Sequence, residues 1–266
     1  MDKVTSIIKR KTSLLLSKHL PLRSLLILES ISQVGLGKGW ESGITNEIEL
    51  VLREIRKLGV ERIVALDVGG NQGIWTSTLK ALTPNAEVHV FEPSASSFQL
   101  LSRNLGSLKD VSLYQCALGN TIKRTFLYSN FETSPLASLT KRELAHQDIQ
   151  FTNAEEVNLI TLDSWFSDNP SVFPNVIKID VEGHELEVLK GASSILPHVK
   201  IIQFEFGGTD IDSKIFFRDF WYFFSSTRFK IFRATPKGLL EIKKYSENEE
   251  TFKFMTYYAI NSAGSF

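Results

Sequence analysis

Cysteine is almost absent from this chain of 266 residues, since only Cys116 carries a thiol. No disulfide can therefore form within the chain, and a chain of this length can bury a sufficient apolar core without one. A single cysteine fits a reducing compartment without requiring one, and we expect a cytoplasmic protein. Because Cys116 lies in the apolar run of residues 111–118, we interpret it as a small buried strand residue rather than a nucleophile.

A net charge and a long apolar run are also missing. Thirty basic and thirty acidic residues cancel, so no overall positive field favours nucleic acid, and we expect no nucleic-acid partner. No run of about 18 apolar residues occurs, and the sequence therefore predicts no transmembrane helix. The composition, 42% hydrophobic and 23% charged, is ordinary for a globular protein and leaves a homo-oligomer open.

The first 45 residues are predicted to form a helical extension that is broken near Pro21 and in the glycine-rich stretch 35–39. Basic residues are mixed there with leucines and isoleucines, in a pattern typical of an amphipathic helix. We consider two hypotheses: a surface helix that caps the domain, or a helix that makes peripheral contact with an acidic membrane surface or a partner.

Residues 46–266 are predicted to form one α/β domain, because apolar strand patterns alternate with helical patterns. Near-continuous apolar runs are typical of parallel strands that helices cover on both faces. Strands are expected at residues 62–68, 87–91, 111–118, 176–181 and 200–206, with a final antiparallel pair at 229–233 and 252–260. An aromatic helix at 215–224 is expected to bury Phe216, Phe220 and Phe223. Residues 119–156 break the rhythm and are predicted to be an irregular insert, serving as a lid or an acceptor region.

A glycine loop lies where the first strand turns into a helix. Its pattern, D-x-G-x-N-x-G, is formed by Asp67, Gly69, Asn71 and Gly73. Neither the G-x-G-x-x-G fingerprint of dinucleotide sites nor a phosphate-binding P-loop matches it. An acid two residues before the first glycine would repel a pyrophosphate but would suit the amino group or sulfonium of S-adenosylmethionine. The free N–H groups at the start of the helix would suit the carboxylate of that ligand.

Two further strand ends complete the predicted ligand site. Glu92 and Pro93 follow the second strand, and the carboxylate of Glu92 can accept hydrogen bonds from both ribose hydroxyls. Ala117 and Leu118 end the third predicted strand, where main-chain N–H groups and apolar side chains would border an adenine ring. Ligands of open α/β sheets bind outside the carboxyl ends of the strands, so these ends are expected to meet.

Five stretches of the chain resemble the FkbM-type family of S-adenosylmethionine-dependent methyltransferases: DVGGNQG, VFEPSASSFQLLSRNL, ALGN, ITLDSW and VIKIDVEGHELEVLKGA. Their order and spacing match over residues 62–206. The resemblance implies a Rossmann-like class I fold, with a mostly parallel sheet of about seven strands between helices. It also implies transfer of a methyl group to a hydroxyl of a sugar, glycan or natural-product acceptor.

The resemblance also assigns roles by position. The cofactor loop and ribose acid of the family are matched by Asp67, Gly69, Gly73 and Glu92. Its signature D-x-E-G-x-E is matched by Asp180, Glu182, Gly183 and Glu185. The two glutamates have a structural alternative, since either can cap the next helix or pair with Lys178, Lys190 or Arg233. Gly70 departs from the family, which more often has alanine there, and we expect this difference to be harmless.

Acidic side chains also end two apolar strands later in the chain. Asp180 follows one and Glu205 ends the next, and buried strand ends seldom carry charge unless it is paired or used. We predict that Asp180 borders the cofactor and is the first candidate for the base that takes the acceptor's proton. His184 is the second candidate, and Glu205 is a third. Asp180 with Glu205 would also hold Mg²⁺ through oxygen ligands.

Two other functional classes stay open at this point. A nicotinamide-dependent oxidoreductase would share the alternation of strands and helices, although the failed dinucleotide fingerprint argues against it. A degenerate methyltransferase fold that serves only as a binding module would have a broken glycine loop or would lack the strand-end acids, and here both are intact.

Overall fold

The structure, a computed structural model, describes residues 3–261, with side chains described from residue 11 onward. The described residues form nine α-helices: α1 (Lys3–His19), α2 (Leu22–Gly35), α3 (Ile44–Lys57), α4 (Ile74–Leu82), α5 (Ala95–Leu105), α6 (Leu162–Asp168), α7 (Glu185–Lys190), α8 (Thr209–Ser213) and α9 (Phe217–Ser225). They also form eleven strands: β1 (Val64–Val68), β2 (Glu87–Phe91), β3 (Val111–Tyr114), β4 (Ala117–Leu118), β5 (Lys123–Ser129), β6 (Asn153–Ile160), β7 (Val176–Ile179), β8 (Ile201–Phe206), β9 (Phe229–Thr235), β10 (Gly238–Glu241) and β11 (Met255–Asn261).

The central sheet has the strand order β10-β9-β11-β8-β7-β1-β2-β3. From β8 to β3 the strands run parallel, while β11 lies antiparallel to both β8 and β9, and β10 lies antiparallel to β9. The predicted mostly parallel sheet is confirmed, and so is the antiparallel pairing of the last two predicted strands. The eighth strand is β10, which the sequence does not predict because its short segment is only partly buried.

A second sheet, with the strand order β4-β6-β5, corrects two predictions. The strand expected at 111–118 ends at Tyr114, and its last two residues form β4, which pairs with β6 instead of with the central sheet. The insert at 119–156 is not irregular throughout, because it contains β5 and the beginning of the antiparallel β6. The apolar pattern of this insert is weak because its sheet buries only a small cluster that includes Leu127, Val157 and Leu159.

Helices cover both faces of the central sheet because side chains alternate between the faces along each strand. In β1, Ala65 packs with buried residues of α3, α4 and α5, whereas Leu66 and Val68 pack with those of α6, α7 and α9. Strands β1, β7 and β8 lie in the middle of the sheet and bury nearly all their residues. Their carboxyl ends therefore meet along one edge, between the two helix layers.

The aromatic helix has a different inward face from the predicted one. α9 begins at Phe217 and buries Phe217, Phe220 and Phe224, while Phe216 is 43% exposed and Phe223 is half-buried. In a run with so many aromatic residues, several faces have helical spacing, so the pattern predicts the helix without fixing which side faces the sheet.

The N-terminal extension consists of α1 and α2, and the predicted break at Pro21 is confirmed. Beyond α2, the N–H of Gly39 donates a hydrogen bond of 2.9 Å to the carbonyl of Phe254, which attaches the extension to the domain. Between residues 3 and 261, no helix is both long enough and apolar enough to cross a membrane.

Replacing Leu79 with alanine tests how strongly α4 stabilises the sheet. Leu79 is fully buried, so its truncation leaves a cavity and is expected to lower the free energy of unfolding by about 2–5 kcal/mol. Leu82 ends the same helix and is 42% exposed, so Leu82→Ala should cost less than about 1 kcal/mol. Urea unfolding measures both values, and equal losses would contradict this packing.

Candidate active site

The glycine loop after β1 is tied to the ends of both neighbouring strands. The N–H groups of Gly69 and Gly70 donate hydrogen bonds of 3.0 and 2.9 Å to the carbonyl of Phe91, at the end of β2. On the other side, a Cβ atom on Gly69 would lie 1.8 Å from the carbonyl oxygen of Asp180, just after β7. With a φ of +80°, Gly69 also has a backbone conformation that favours glycine. The loop can therefore approach both strands only because this residue has no side chain.

Gly70 and Gly73 serve packing beneath the loop. A Cβ atom on Gly70 would lie 2.2 Å from Cγ1 of Val90, so the alanine that is common in the family would not fit here without a shift of the valine. Glycine at position 70 is thus matched to its neighbour Val90. A Cβ atom on Gly73 would lie 2.6 Å from Cδ1 of Leu105, so the start of α4 packs closely against α5.

Glu92 closes the other side of the loop. Its carboxylate accepts hydrogen bonds of 2.9 Å from the N–H groups of Asn71 and Ser94. Burial raises the pKa of Glu92 to about 7, even though these two hydrogen bonds lower it. The carboxylate is therefore held at the tip of β2 in a fixed orientation and changes charge near neutral pH.

The buried ammonium group of Lys178 lies directly beneath the glycine loop. Its Nζ donates a hydrogen bond of 2.8 Å to the carbonyl of Gly69 and lies 3.2 Å from Oδ1 of Asp67 and 3.3 Å from Oδ2 of Asp180. Burial alone would lower the pKa of Lys178, but the carboxylates of Asp180 and Asp67 raise it above its ordinary value. Lys178 is therefore charged and connects β1, the loop and the end of β7. The sequence analysis does not identify this role.

Asp67 does not face a ligand, which corrects the prediction that it binds one. Its side chain is fully buried and accepts a hydrogen bond of 2.7 Å from Oγ1 of Thr76 in α4. The reason is the alternation of β1, because Asp67 points to the same face as Ala65, toward the layer of α3, α4 and α5. Asp67 instead holds Lys178 in place.

A cleft at the carboxyl ends of the strands joins most of the predicted site residues. Those that line it are Gly69, Asn71, Glu92, Pro93, Ala117, Leu118, Asp180 and Glu205. The predicted residues that do not line it are Asp67, Gly70, Gly73 and His184. Cys116 lies in the wall, between β3 and β4 rather than in a strand, and burial raises the pKa of its thiol to about 11. It is therefore a neutral wall residue near neutral pH.

Carboxyl groups dominate the polar part of this cleft. Burial raises the pKa of Glu205 well above its ordinary value, and the negative charge of Asp180 raises it further. Burial and the same negative charge raise the pKa of Glu182 to about 8, while Arg142 lowers it. The cleft has four acids in its lining, counting Glu92, and no lysine or arginine among the described residues there.

The insert covers the cleft and is fastened to the turn after β7. Ser134, Pro135, Ala137 and Leu139 line the cleft from this side. Oγ of Ser138 donates a hydrogen bond of 2.7 Å to the carbonyl of Glu182. The guanidinium of Arg142 lies 2.9 Å from the carboxylate of Glu182 and 3.5 Å from that of Asp212. The sequence analysis missed Arg142, because nothing in a polar insert marks one arginine as buried.

The remaining residues of the family signature have structural roles. Glu185 accepts hydrogen bonds of 3.0 and 3.2 Å from the N–H groups of Val181 and Gly183, so it stabilises the turn before α7. Neither Glu185 nor Glu182 pairs with Lys190 or Arg233.

His184 lines a neighbouring cleft with Glu187 and other residues, and burial lowers its pKa. The structure therefore does not bring His184 together with Asp180 and Glu205.

The residues at Asp180 do not fit a magnesium site. Within residues 3–261 there is no group of three or more histidine, cysteine, aspartate or glutamate side chains that could hold a metal ion. Asp180 already faces the ammonium of Lys178, which neutralises the charge that a metal would need. The proposed pair with Glu205 is thus an incomplete ligand set, and no step is assigned to Mg²⁺.

Comparison with known proteins gives relatives that are all named methyltransferases. Methyltransferase 1 of Beauveria bassiana is 29% identical over 141 residues, which cover 47% of this chain and 57% of that protein. Hexuronic acid methyltransferase AglP of Haloferax volcanii is 29% identical over 158 residues, covering 57% and 59%. The 2-O-methyltransferase NoeI of Sinorhizobium fredii is 26% identical over 157 residues, covering 56% and 65%. The chain thus spans less than two thirds of the length of each of these relatives.

A mostly parallel Rossmann-like sheet with a cleft at its strand ends defines the class of fold. Within that class, the family described as Methyltransferase FkbM domain matches residues 67–231, from the glycine loop into β9. Since this match spans more than half of the chain, the protein belongs to the FkbM methyltransferase family. The resemblance noted in the sequence is thereby confirmed.

The contact between the glycine loop and β7 can be tested by comparing two glycines. Gly69 and Gly59 both have a positive φ, so alanine is strained at either position. Only at Gly69 would the new Cβ atom collide with main chain, because no atom lies within 4 Å of the Cβ position at Gly59. Gly69→Ala should therefore lower the free energy of unfolding by at least about 2 kcal/mol more than Gly59→Ala. Similar values in urea unfolding would refute the close approach.

Proposed function

We propose that this protein binds S-adenosylmethionine in the cleft and transfers its methyl group to a hydroxyl of a neutral sugar, glycan or similar small molecule. The observation that carries the proposal is the lining of the cleft. A glycine loop and the buried carboxylate of Glu92 lie at two strand ends, and three further acids, Asp180, Glu182 and Glu205, line the same cleft. This lining suits a ligand with a positive sulfonium and a ribose.

The parts of the cofactor match the parts of the cleft. The carboxylate of Glu92, which the N–H groups of Asn71 and Ser94 hold at the edge of the cleft, would accept hydrogen bonds from the ribose hydroxyls. Ala117 and Leu118 supply apolar surface for the adenine, and main chain at Gly69 and Asn71 borders the methionine part. The nearby carboxylate of Asp180 favours a positive sulfonium by simple Coulomb attraction.

The same charges weigh against the rival functions. A nicotinamide dinucleotide or a nucleic acid would bring phosphates into a cleft whose described lining has acids and no basic side chain. A binding module without activity does not need a charged group beside the expected methyl position, yet Asp180 is 35% exposed there. The methyltransferase proposal accounts for both observations.

The reaction needs the acceptor hydroxyl to lose its proton as it attacks. When bound, S-adenosylmethionine would supply the acceptor oxygen with an electrophilic methyl carbon, the electron pair of the carbon–sulfur bond being left on sulfur. Asp180 is the accessible carboxylate for the released proton, and Lys178 holds it in position. Glu205 is a second acceptor for this proton, whereas His184 lies in another cleft.

A neutral acceptor is favoured over an acidic one. The name of one relative, a hexuronic acid methyltransferase, supports a sugar as the acceptor class, and that of another, a 2-O-methyltransferase, supports transfer to oxygen. The carboxylate of a uronic acid would approach the negative charge of Asp180, whereas a neutral sugar would not be repelled. The nearest described guanidinium, that of Arg142, is already paired with Glu182 and Asp212. We therefore infer that the reacting sugar carries no charge near the hydroxyl.

Removing the carboxylate of Glu92 is expected to weaken binding of S-adenosylmethionine by about 1–3 kcal/mol, the value of a charge-assisted hydrogen bond. Because the pKa of Glu92 is about 7, the carboxylate ionises as the pH rises from 6 to 8, and wild-type affinity should rise over that range. Glu92→Ala should lose part of this rise. Glu156→Ala, which removes an exposed carboxylate outside the cleft, is the matched control for calorimetry.

A methyl-transfer assay tests the function itself. Labelled S-adenosylmethionine is offered with matched neutral and uronic-acid oligosaccharides, and the neutral acceptor is expected to have at least a tenfold higher kcat/KM, about 1.4 kcal/mol. In the same assay, Asp180→Asn should keep cofactor binding but slow turnover at least about a hundredfold.

The possible failures of this assay are distinct. A preference for the uronic acid would contradict the neutral acceptor alone, and full activity of Asp180→Asn would contradict its role as the base. A wild-type protein that neither binds nor consumes S-adenosylmethionine would contradict the proposed function as a whole.

A further inference from the structure

The end of the N-terminal extension carries apolar side chains that no other described part of the chain covers. We call residues 11–36 the N-terminal arm. Helix α2, which makes up most of the arm, has no buried residue. Side chains that are more than half exposed are Leu14, Leu15, Leu22, Leu26, Ile27 and Ile31. Proteins that stay monomeric seldom expose contiguous apolar surface of this kind, so the arm has the character of a binding surface.

Positive charge accompanies this apolar surface. Lys11, Lys18 and Arg23 are exposed along the arm, and its one acid, Glu29, accepts a hydrogen bond from Gln33. The first 36 residues contain six basic and two acidic residues, whereas the rest of the chain contains 24 basic and 28 acidic ones. The N-terminal segment of this neutral protein thus has a net positive charge, while the rest of the chain is net negative.

The arm is joined firmly to the domain beside the cleft. Nε of the buried Arg233 donates a hydrogen bond of 2.8 Å to the carbonyl of Leu36. The carbonyl of Phe254 accepts a hydrogen bond from Gly39, and the same Phe254 lines the cleft. The C-terminal end of the arm therefore lies close to the cleft.

We propose that the N-terminal arm binds the surface of an anionic lipid bilayer. Its leucines and isoleucines insert among the lipid tails, and Lys11, Lys18 and Arg23 contact the phosphates of the headgroups. Helix α2 has 14 residues and is about 21 Å long, which is shorter than the roughly 30 Å of a bilayer core. The arm therefore lies in the interface rather than across it.

A second copy of the chain is the competing occupant of this surface. In a symmetric dimer the same patch meets itself, so Lys11, Lys18 and Arg23 of each copy would share the interface with only one acid of each arm, Glu29. Anionic headgroups supply that missing negative charge. The distribution of charge therefore favours lipid over self-association.

Vesicle cosedimentation of the full chain tests the proposal. Vesicles of phosphatidylcholine are compared with vesicles in which about a third of the lipid is phosphatidylglycerol, at low and high salt. The wild type is expected to bind only the anionic vesicles strongly, and less at high salt. Replacing Lys11, Lys18 and Arg23 with glutamine should lower this affinity about a hundredfold, since each basic side chain contributes about fivefold. Replacing the exposed Lys230, Lys243 and Lys244 is the matched control and should leave it unchanged.

A second variant tests the apolar part. Leu26, Ile27 and Ile31 are exposed, so changing them to serine should abolish vesicle binding without lowering the thermal unfolding midpoint. Equal binding to neutral and anionic vesicles would overturn the proposal. Absence of vesicle binding would also overturn it. If the wild type is then a dimer by sedimentation velocity, and the serine variant is a monomer, a second copy of the chain covers the arm instead.

Discussion

The ammonium group of Lys178 is the contact on which the rest of the site depends. It lies between the carboxylates of Asp67 and Asp180 and holds the carbonyl of Gly69, so one buried charge connects a strand, the loop that follows it and the end of the neighbouring strand. A buried cation is tolerated only while its partners stay in place, because an unpaired charge in the interior costs several kcal/mol. The position of the glycine loop and that of Asp180 are therefore coupled.

The pairing of Lys178 beneath the loop determines the charge of the cleft above it. The charge of Lys178 is neutralised by Asp67 and Asp180, and the charge of Arg142 is neutralised by Glu182 and Asp212. The acids of the cleft lining thus have no basic residue among them. Such a surface suits a positive sulfonium and an uncharged hydroxyl better than a phosphate or a carboxylate. The insert also lies over the cleft, since Ser138 and Arg142 both bind the turn after β7.

Sequence patterns predict the parts of this molecule that repeat, and miss those that depend on contacts between distant segments. The apolar strands and the tip residues Gly69 and Glu92 follow from periodicity and from the polarity of strand ends. The direction of the Asp67 side chain could be predicted from the sequence. Side chains alternate along a strand, so Asp67 shares a face with Ala65, and that face points away from the cleft. The pairing of Lys178 could also be predicted, since a lysine inside the apolar run VIKI needs a buried partner. The burial of Arg142 could not be predicted from the sequence, because it depends on how the insert folds back onto the domain.

A crystal structure with S-adenosylhomocysteine tests the central claim most directly. The account predicts that the ribose hydroxyls contact the carboxylate of Glu92, that the sulfur lies nearest Asp180, and that Lys178 remains beneath Gly69. A ligand bound elsewhere, or a loop that moves away from Lys178 to admit it, would contradict the account.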